Sequence, residues 1–451
     1  MTVSKFDRIA FLILCIAVMV LMIALSIIGT LSGKIATDTA SYFAPLASNN
    51  PWGEWRHPLY GTVASWVGGG PTAAGNVALA QAILHAVAAL AIYAGARAGG
   101  IGSVGALCLG LAALFSQSGL LHLGLVLPES PAITFLLFAF AGTLAASRSA
   151  VAFGLLIVPI GFATGIAYIL RPSLLPAIIA VPALWYLLAV RSGQADRASR
   201  AILLALAVAL PFIVQSGVRW KSVGDFNLVS FGGFAMSGMA GFMLTPDIVD
   251  RLPESVRPTA QAVLAARTSA GDAGRIARTP LNSAGERSFV SAALGYFDIY
   301  ARSYDDFVWF EIGGLRAPQE SWVSFNQRLT TFSIATITAA PLRWLAWVGG
   351  ATSRLVGRMI VTNAPMLMAV AALLVAAMTA FVRRAGLGPS AADLAQVSAV
   401  ALAWLASTGP LIVLFTFPAT RYIDTAAVLI VAVPALLAAA MIEAACARRA
   451  R

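Results

Sequence analysis

Asp38, Tyr42, Glu54, Arg56, His57 and Tyr60 all fall in one short stretch, KIATDTASYFAPLASNNPWGEWRHPLYGTVASW. The whole chain has only 19 acidic residues and 3 histidines, so this is a local concentration of polar chemistry. A carboxylate partly withdrawn from water gains proton affinity unless a cation offsets it. Asp38, a few residues after a long apolar run, is therefore a candidate general base for an attacking alcohol. An interfacial acid in an ordinary solvated loop has the same position.

Further along, SGLLHLGLVLPESPAITF carries His122 and Glu129. Glu129 either opens an apolar run or pairs across a cavity with the first stretch. GFATGIAYILRPSLLPAII has Arg171 alone between two apolar runs, and TFPATRYIDTAAV has Arg421, Tyr422 and Asp424. A guanidinium offers phosphate a planar fork of donors, so Arg171, and by the same theme Arg421, are candidates for a lipid phosphate. Snorkelling to headgroups is the plainer role for such arginines. His85 lies within an apolar run and reads as a packing residue. Cys15, Cys108 and Cys446 are far apart and match no disulfide or metal spacing. No HExxH, CxxC, Walker A or GxSxG is present, and the glycine clusters at 68–70 and 231–234 lack a strand–turn–helix context.

The elements that must position these residues are membrane spans. The chain has 451 residues, 59% hydrophobic and 11% charged, with a mean hydropathy of +0.84. Soluble domains carry about 25% charged residues, so the bilayer must be part of this chain's solvent. Apolar runs near 9–31, 76–96, 103–121, 131–147, 151–170, 173–190, 201–217, 364–382, 396–417 and 425–442 predict ten helices of spanning length. The expected fold is an all-α polytopic membrane protein with outer-face loops and interfacial helices.

The net charge is +11, and its arginines are scattered between the runs, which argues against a nucleic-acid partner. Arg97, Arg148, Arg191, Arg197, Arg200, Arg383, Arg384 and the termini fall on alternate connections. The positive-inside rule makes that side cytoplasmic, with both termini there. Lys5 and Arg8 before a long apolar run predict an uncleaved signal anchor. The segments 32–75, 122–130, 171–172, 218–363 and 418–424 then face outward. Two further stretches, 226–244 and 329–350, are apolar enough to cross. Gly and Ser in the first, and Pro341, Arg343, Trp344 and Trp347 in the second, favour the interface instead. The chain divides into an N-terminal module (1–217), an outer segment of short helices and loops (218–363) and a C-terminal module (364–451).

In order and spacing these motifs resemble the polytopic glycosyltransferases of the C superfamily. The nearest branch holds protein O-mannosyltransferases and the aminoarabinose transferases of lipid A. Asp38 with Tyr42 resembles the acid of the first outer loop. Arg56-His57-Pro58-Leu59-Tyr60 is similar to the branch's HPPLYP-type segment. Leu127-Pro128-Glu129 resembles the second-loop acid. Gly165 through Arg171-Pro172, Phe231-Gly232 with Ser237 and Gly241, and Thr420-Arg421-Tyr422 resemble later signatures. The chain departs from the pattern in having Thr39 where many relatives have a second acid, and Gly61 in place of the last proline.

The resemblance implies a donor sugar on a polyprenyl phosphate and a cell-envelope glycan, lipid or protein acceptor, with membrane lipids around the fold. Asp38 would take the acceptor proton with inversion, and Glu129 would assist. Arg171, Arg421 or Arg56 would stabilise the leaving phosphate. His57, Tyr42, Tyr60, His122 and Tyr422 would orient substrates. A divalent metal is compatible with this chemistry, but no ligand set demands one. A flippase for lipid-linked sugars, or a polymerase or ligase using a lipid-pyrophosphate donor, could use the same arginines. The expected location is a bacterial inner membrane with a periplasmic site.

Overall fold

A computed structural model describes residues 5–68, 74–276, 306–361, 363–382, 391–415 and 420–447. In chain order the helices are α1 (Lys5–Ile27), α2 (Thr39–Ala47), α3 (Pro58–Gly68), α4 (Ala74–Ala98), α5 (Ser103–Leu114), α6 (Gln117–Leu123), α7 (Glu129–Ala146), α8 (Ala150–Leu170), α9 (Ala177–Arg191) and α10 (Arg197–Val223). They continue with α11 (Gly232–Met243), α12 (Pro246–Arg251), α13 (Arg257–Asp272), α14 (Trp322–Ala339), α15 (Pro341–Val361), α16 (Ala364–Val382), α17 (Ala391–Thr408), α18 (Pro410–Phe415), α19 (Thr420–Ala427) and α20 (Ala432–Ala447). Among the described residues no strand forms; one isolated parallel bridge joins Lys34 and Leu125.

The chain is a multi-pass, all-α membrane protein. Nine stretches among the described residues are long and apolar enough to cross a bilayer: Asp7–Ile27, Ala74–Ala98, Ser103–Leu123, Glu129–Ala146, Ala150–Leu170, Pro172–Arg191, Arg197–Val223, Ala392–Phe415 and Asp424–Ile442. They coincide with nine of the ten expected runs. The tenth, 364–382, is α16, which joins α15 in a pair bent by 68° that makes a tenth span if counted as one. The stretch 226–244 yields only the 12-residue α11. At 1.5 Å per residue that helix is about 18 Å long, too short for hydrocarbon about 30 Å thick. The stretch 329–350 is divided at Ala340: α14 ends at Ala339 and α15 restarts at Pro341, where the missing N–H costs nothing.

The span Ser103–Leu123 is broken into α5 and α6, with Ser116 capping α6 by accepting from the Gly119 N–H at 3.1 Å. Small residues allow the tightest helix pairs. A Cβ on Gly95 of α4 would collide with the Ala141 carbonyl of α7, and one on Gly161 of α8 with the Ala207 carbonyl of α10. Leu12, Met19 and Ile23 of α1, and Ile202, Leu206 and Leu210 of α10, stay exposed, as faces turned to lipid must.

The N- and C-terminal modules share one core. Trp404, Val428, Leu429 and Leu436 pack with Leu136, Phe140 and Trp185, and the Phe140 and Trp404 rings meet edge-on at 5.4 Å. A second, separate core forms within the segment between them, from Phe234 and Phe242 through Phe307, Phe325 and Phe332 to Trp347. Two buried arginines hold the C-terminal end of α11 against it. Arg267 donates to the carbonyls of Gly241, Phe242 and Leu244, and Arg343 donates to the Met243 carbonyl and Thr245 Oγ1. Cations there satisfy the orphan carbonyls and oppose the negative end of the helix dipole.

Candidate functional site

Alternation of the spans puts the described connecting residues 28–68, 124–128, 171, 224–276 and 306–340 on one face, called here the loop face. The first two connections are stitched by main-chain bonds. The Lys34 N–H donates to the Gly124 carbonyl at 2.7 Å, and the Val126 N–H donates to the Lys34 carbonyl at 3.1 Å. Buried Thr39 completes the join, accepting from the Ala36 N–H at 2.9 Å and donating to the Val126 carbonyl at 3.0 Å. These bonds fix α2 beside the start of α7, and with it Asp38 beside the loop that leads to Glu129.

Asp38 is half-buried at the N-cap of α2, and Tyr42 lies one turn further on the same side of the helix. The Tyr42 ring meets the Tyr60 ring of α3 edge-on at 5.6 Å. Gly61 permits this approach, because a Cβ there would strike the Tyr42 carbonyl. Tyr60 is 5% exposed, and among the described residues its hydroxyl has no hydrogen-bond partner. Burial holds this phenol above its ordinary range, and the nearby Glu129 carboxylate and Tyr42 push the same way. Glu129 is buried at the first residue of α7, where the helix dipole favours a negative charge. The second-loop acid therefore lies close enough to act on a side chain of the first loop.

Arg56 also lies against Tyr42. Its guanidinium carbon lies 4.5 Å from the Tyr42 ring centroid, 4.3 Å from that of Trp55 and 5.2 Å from that of Phe231. Trp55 in turn packs on Phe231, Trp309 and Trp322 at 5.3–5.7 Å. Among the described residues the Arg56 guanidinium has no hydrogen-bond or ion-pair partner, and its Nε is buried without one. Rings hold a guanidinium through its faces, whereas its N–H donors point outward in its plane. Arg56 thus sits among aromatic rings, and no hydrogen bond or ion pair among the described residues uses its donors.

Comparison with family models, with curated proteins and with solved structures returns no match. The site is therefore read from its geometry.

The His57 ring meets Trp52 at 5.7 Å, and its Nδ1 accepts from the Leu59 N–H at 3.0 Å. Burial pushes the imidazole from 6.5 down to about 4; Gln215 opposes this and the Arg219 charge adds to it. The folded protein disfavours the imidazolium, so this contribution to stability is complete above about pH 6.5 and is lost as the pH falls towards 4. The melting temperature should decline across that window, and His57→Gln should lack the part of the decline due to this ring. An identical pH profile for the variant would remove His57 as its source.

Arg171 is buried where α8 gives way to the 3-10 turn Pro172–Leu174, a turn that rests on α17 and α18. Its neighbour Leu170 packs on the cluster containing Tyr42 and Tyr60, so Arg171 belongs to the same layer. His122 is buried in the last turn of α6, just before the bridge residue Leu125. Arg421 and Tyr422 fall in α19, but their side chains lie outside the described residues. Among the described residues no cluster of three or more His, Cys, Asp or Glu is placed to hold a metal.

Sequence reasoning missed two parts of this site. One is the aromatic wall of Trp55, Phe231, Trp309 and Trp322. The other is the buried pair Arg219–Asp225. Arg219 donates to Asp225 Oδ2 at 2.9 Å, to Ser230 Oγ at 2.6 Å and to the Trp52 carbonyl. It ties the first loop to the end of α10 and to the segment leading to Phe231.

Proposed function

We propose that the chain is an inverting, membrane-embedded glycosyltransferase. It moves a sugar from a polyprenyl-phosphate donor to a hydroxyl of a cell-envelope glycan, lipid or protein. The reading places the loop face on the periplasmic side of a bacterial inner membrane, with both termini cytoplasmic, and assigns the fold to the glycosyltransferase C superfamily. The observation that carries it is Arg56, set among three rings with its donors unspent among the described residues, beside a layer containing Asp38, Tyr60 and Glu129.

The phosphate of the donor binds Arg56 through the in-plane fork. As the bond to the anomeric carbon breaks, charge grows on the leaving phosphate, and a preorganised guanidinium stabilises it without reorganising. Arg171, in the same layer, adds positive potential. Asp38 accepts the proton of the attacking hydroxyl, and Glu129 with Tyr60 orients the acceptor. The isoprenoid tail lies among the apolar helix faces.

Sugar transfer from polyprenyl-phosphate donors tests the reading. Asp38→Asn should lower the rate by about 10²–10⁴-fold, the usual contribution of a positioned base, with the melting temperature unchanged. Full activity in this variant would remove Asp38 from the mechanism. Wild-type protein that transfers no sugar from any such donor would remove the reading itself.

A further inference from the structure

Asp424 opens the stretch Asp424–Ile442, which is apolar enough to cross a membrane, and its side chain is almost wholly enclosed at 1% exposure. Among the described residues neither carboxylate oxygen has a hydrogen-bond partner. Neighbouring donors among the described residues are spent within the fold. Thr425 Oγ1 shares a hydrogen bond with Ser118 Oγ of α6 at 3.0 Å. The Trp404 indole donates to the Thr425 carbonyl at 2.8 Å, and Thr408 donates back to the Trp404 carbonyl of its own helix. Among the described residues the positive charge of Arg358 on α15 acts on Asp424.

An acidic group buried at membrane depth is costly, and such groups persist where they serve a function. Among the described residues no donor reaches Asp424, which leaves its oxygens for a group from outside the protein. A carboxylate is an acceptor, so the ligand must bring donors, and the hydroxyls of a sugar headgroup supply them. The bond to Ser118 sets the depth, one turn of α6 below His122 and so within the bilayer rather than above it. A ligand anchored by a lipid tail reaches that depth, whereas a water-soluble acceptor stays at the loop face.

We propose that Asp424 reads the sugar of the lipid-linked donor by accepting hydrogen bonds from its ring hydroxyls. This assignment rests on the transferase reading and adds to it the residue that selects the donor sugar. A site built to bond a hydroxyl discriminates strongly against a ligand that lacks it, because the buried polar group is then left unpaired.

The test uses the full-length protein in lipid nanodiscs. Binding is measured for undecaprenyl phosphate, bare or carrying glucose, mannose, galactose or arabinose, with wild type, Asp424→Asn and Asp424→Leu. Wild type should prefer at least one glycosyl lipid over the bare lipid. Both variants should lose about tenfold or more of that preference, bind the bare lipid as wild type does, and melt no lower than wild type when no undecaprenyl lipid is added. Variants that keep the preference overturn the site and leave the transferase reading standing. An equal loss for bare and glycosyl lipids, or a lower melting temperature without undecaprenyl lipid, overturns it in favour of a structural role. Asp424-dependent binding of the free sugars assigns the hydroxyls to the acceptor and overturns the donor assignment. Wild type that binds all five lipids alike removes the donor reading, and this site with it.

Discussion

Arg56→Ala should abolish most sugar transfer, lowering the rate by about 10²–10³-fold, the usual cost of one preorganised donor at a site of developing charge. The variant loses the cation that the Tyr42, Trp55 and Phe231 rings surround, yet it breaks no hydrogen bond or ion pair of the described fold. Activity should therefore fall much further than stability. Arg56→Lys should recover less than about a tenth of the rate, because an ammonium offers no planar fork to phosphate and no extended face to the rings. Both variants are measured by initial rates on a polyprenyl-phosphate sugar and by melting temperature. Near-wild-type transfer by Arg56→Ala would show that the donor phosphate is held elsewhere.

Arg219→Met has the opposite signature. Arg219 is 1% exposed and Asp225 3% exposed, and each is the other's countercharge at 2.9 Å. Removing one partner of such a pair leaves an uncompensated buried charge, at a cost of about 3–5 kcal/mol. Ser230 donates to Asp225 Oδ2 at 3.0 Å and Asn227 donates to Oδ1 at 2.6 Å, so the carboxylate would keep hydrogen bonds but lose its cation. The Trp52 carbonyl would lose its donor as well. The double variant Arg219→Met/Asp225→Asn removes both charges and should recover part of the loss. Thermal melting of the three proteins decides this. A single variant as stable as wild type would mean that the pair does not hold the first loop in place.

The spans were legible because their signal is length and composition, which need no partner to be read. Nine apolar runs became helices where expected, and the separation of α14 from α15 followed Pro341. The break between α5 and α6 was hidden, since Phe115 and Ser116 interrupt neither the apolar composition nor the absence of charge. Within the site, the polar residues of the first loop and Glu129 stood out because ionisable groups are rare in this chain. Their meeting through Tyr42 and Tyr60 depends on main-chain bonds between Lys34, Gly124 and Val126, which carry no side-chain signature. The aromatic wall was not legible, because Trp55, Phe231, Trp309 and Trp322 come from separate segments with no shared period. Arg219 was hidden for another reason: at the end of an apolar run it reads as a boundary charge, and only the turn that returns Asp225 to it reveals a pair.

The contact of Phe231 with Arg56 also bears on biogenesis. Trp55 and Tyr42 are synthesised together with Arg56, but Phe231 follows only after seven spans have been made. A nascent chain halted after α10 would contain the complete first loop and still present Arg56 with that ring missing. The cationic cradle is thus finished late, by a segment that must fold back across the membrane face. Until then the guanidinium stands against two rings rather than three.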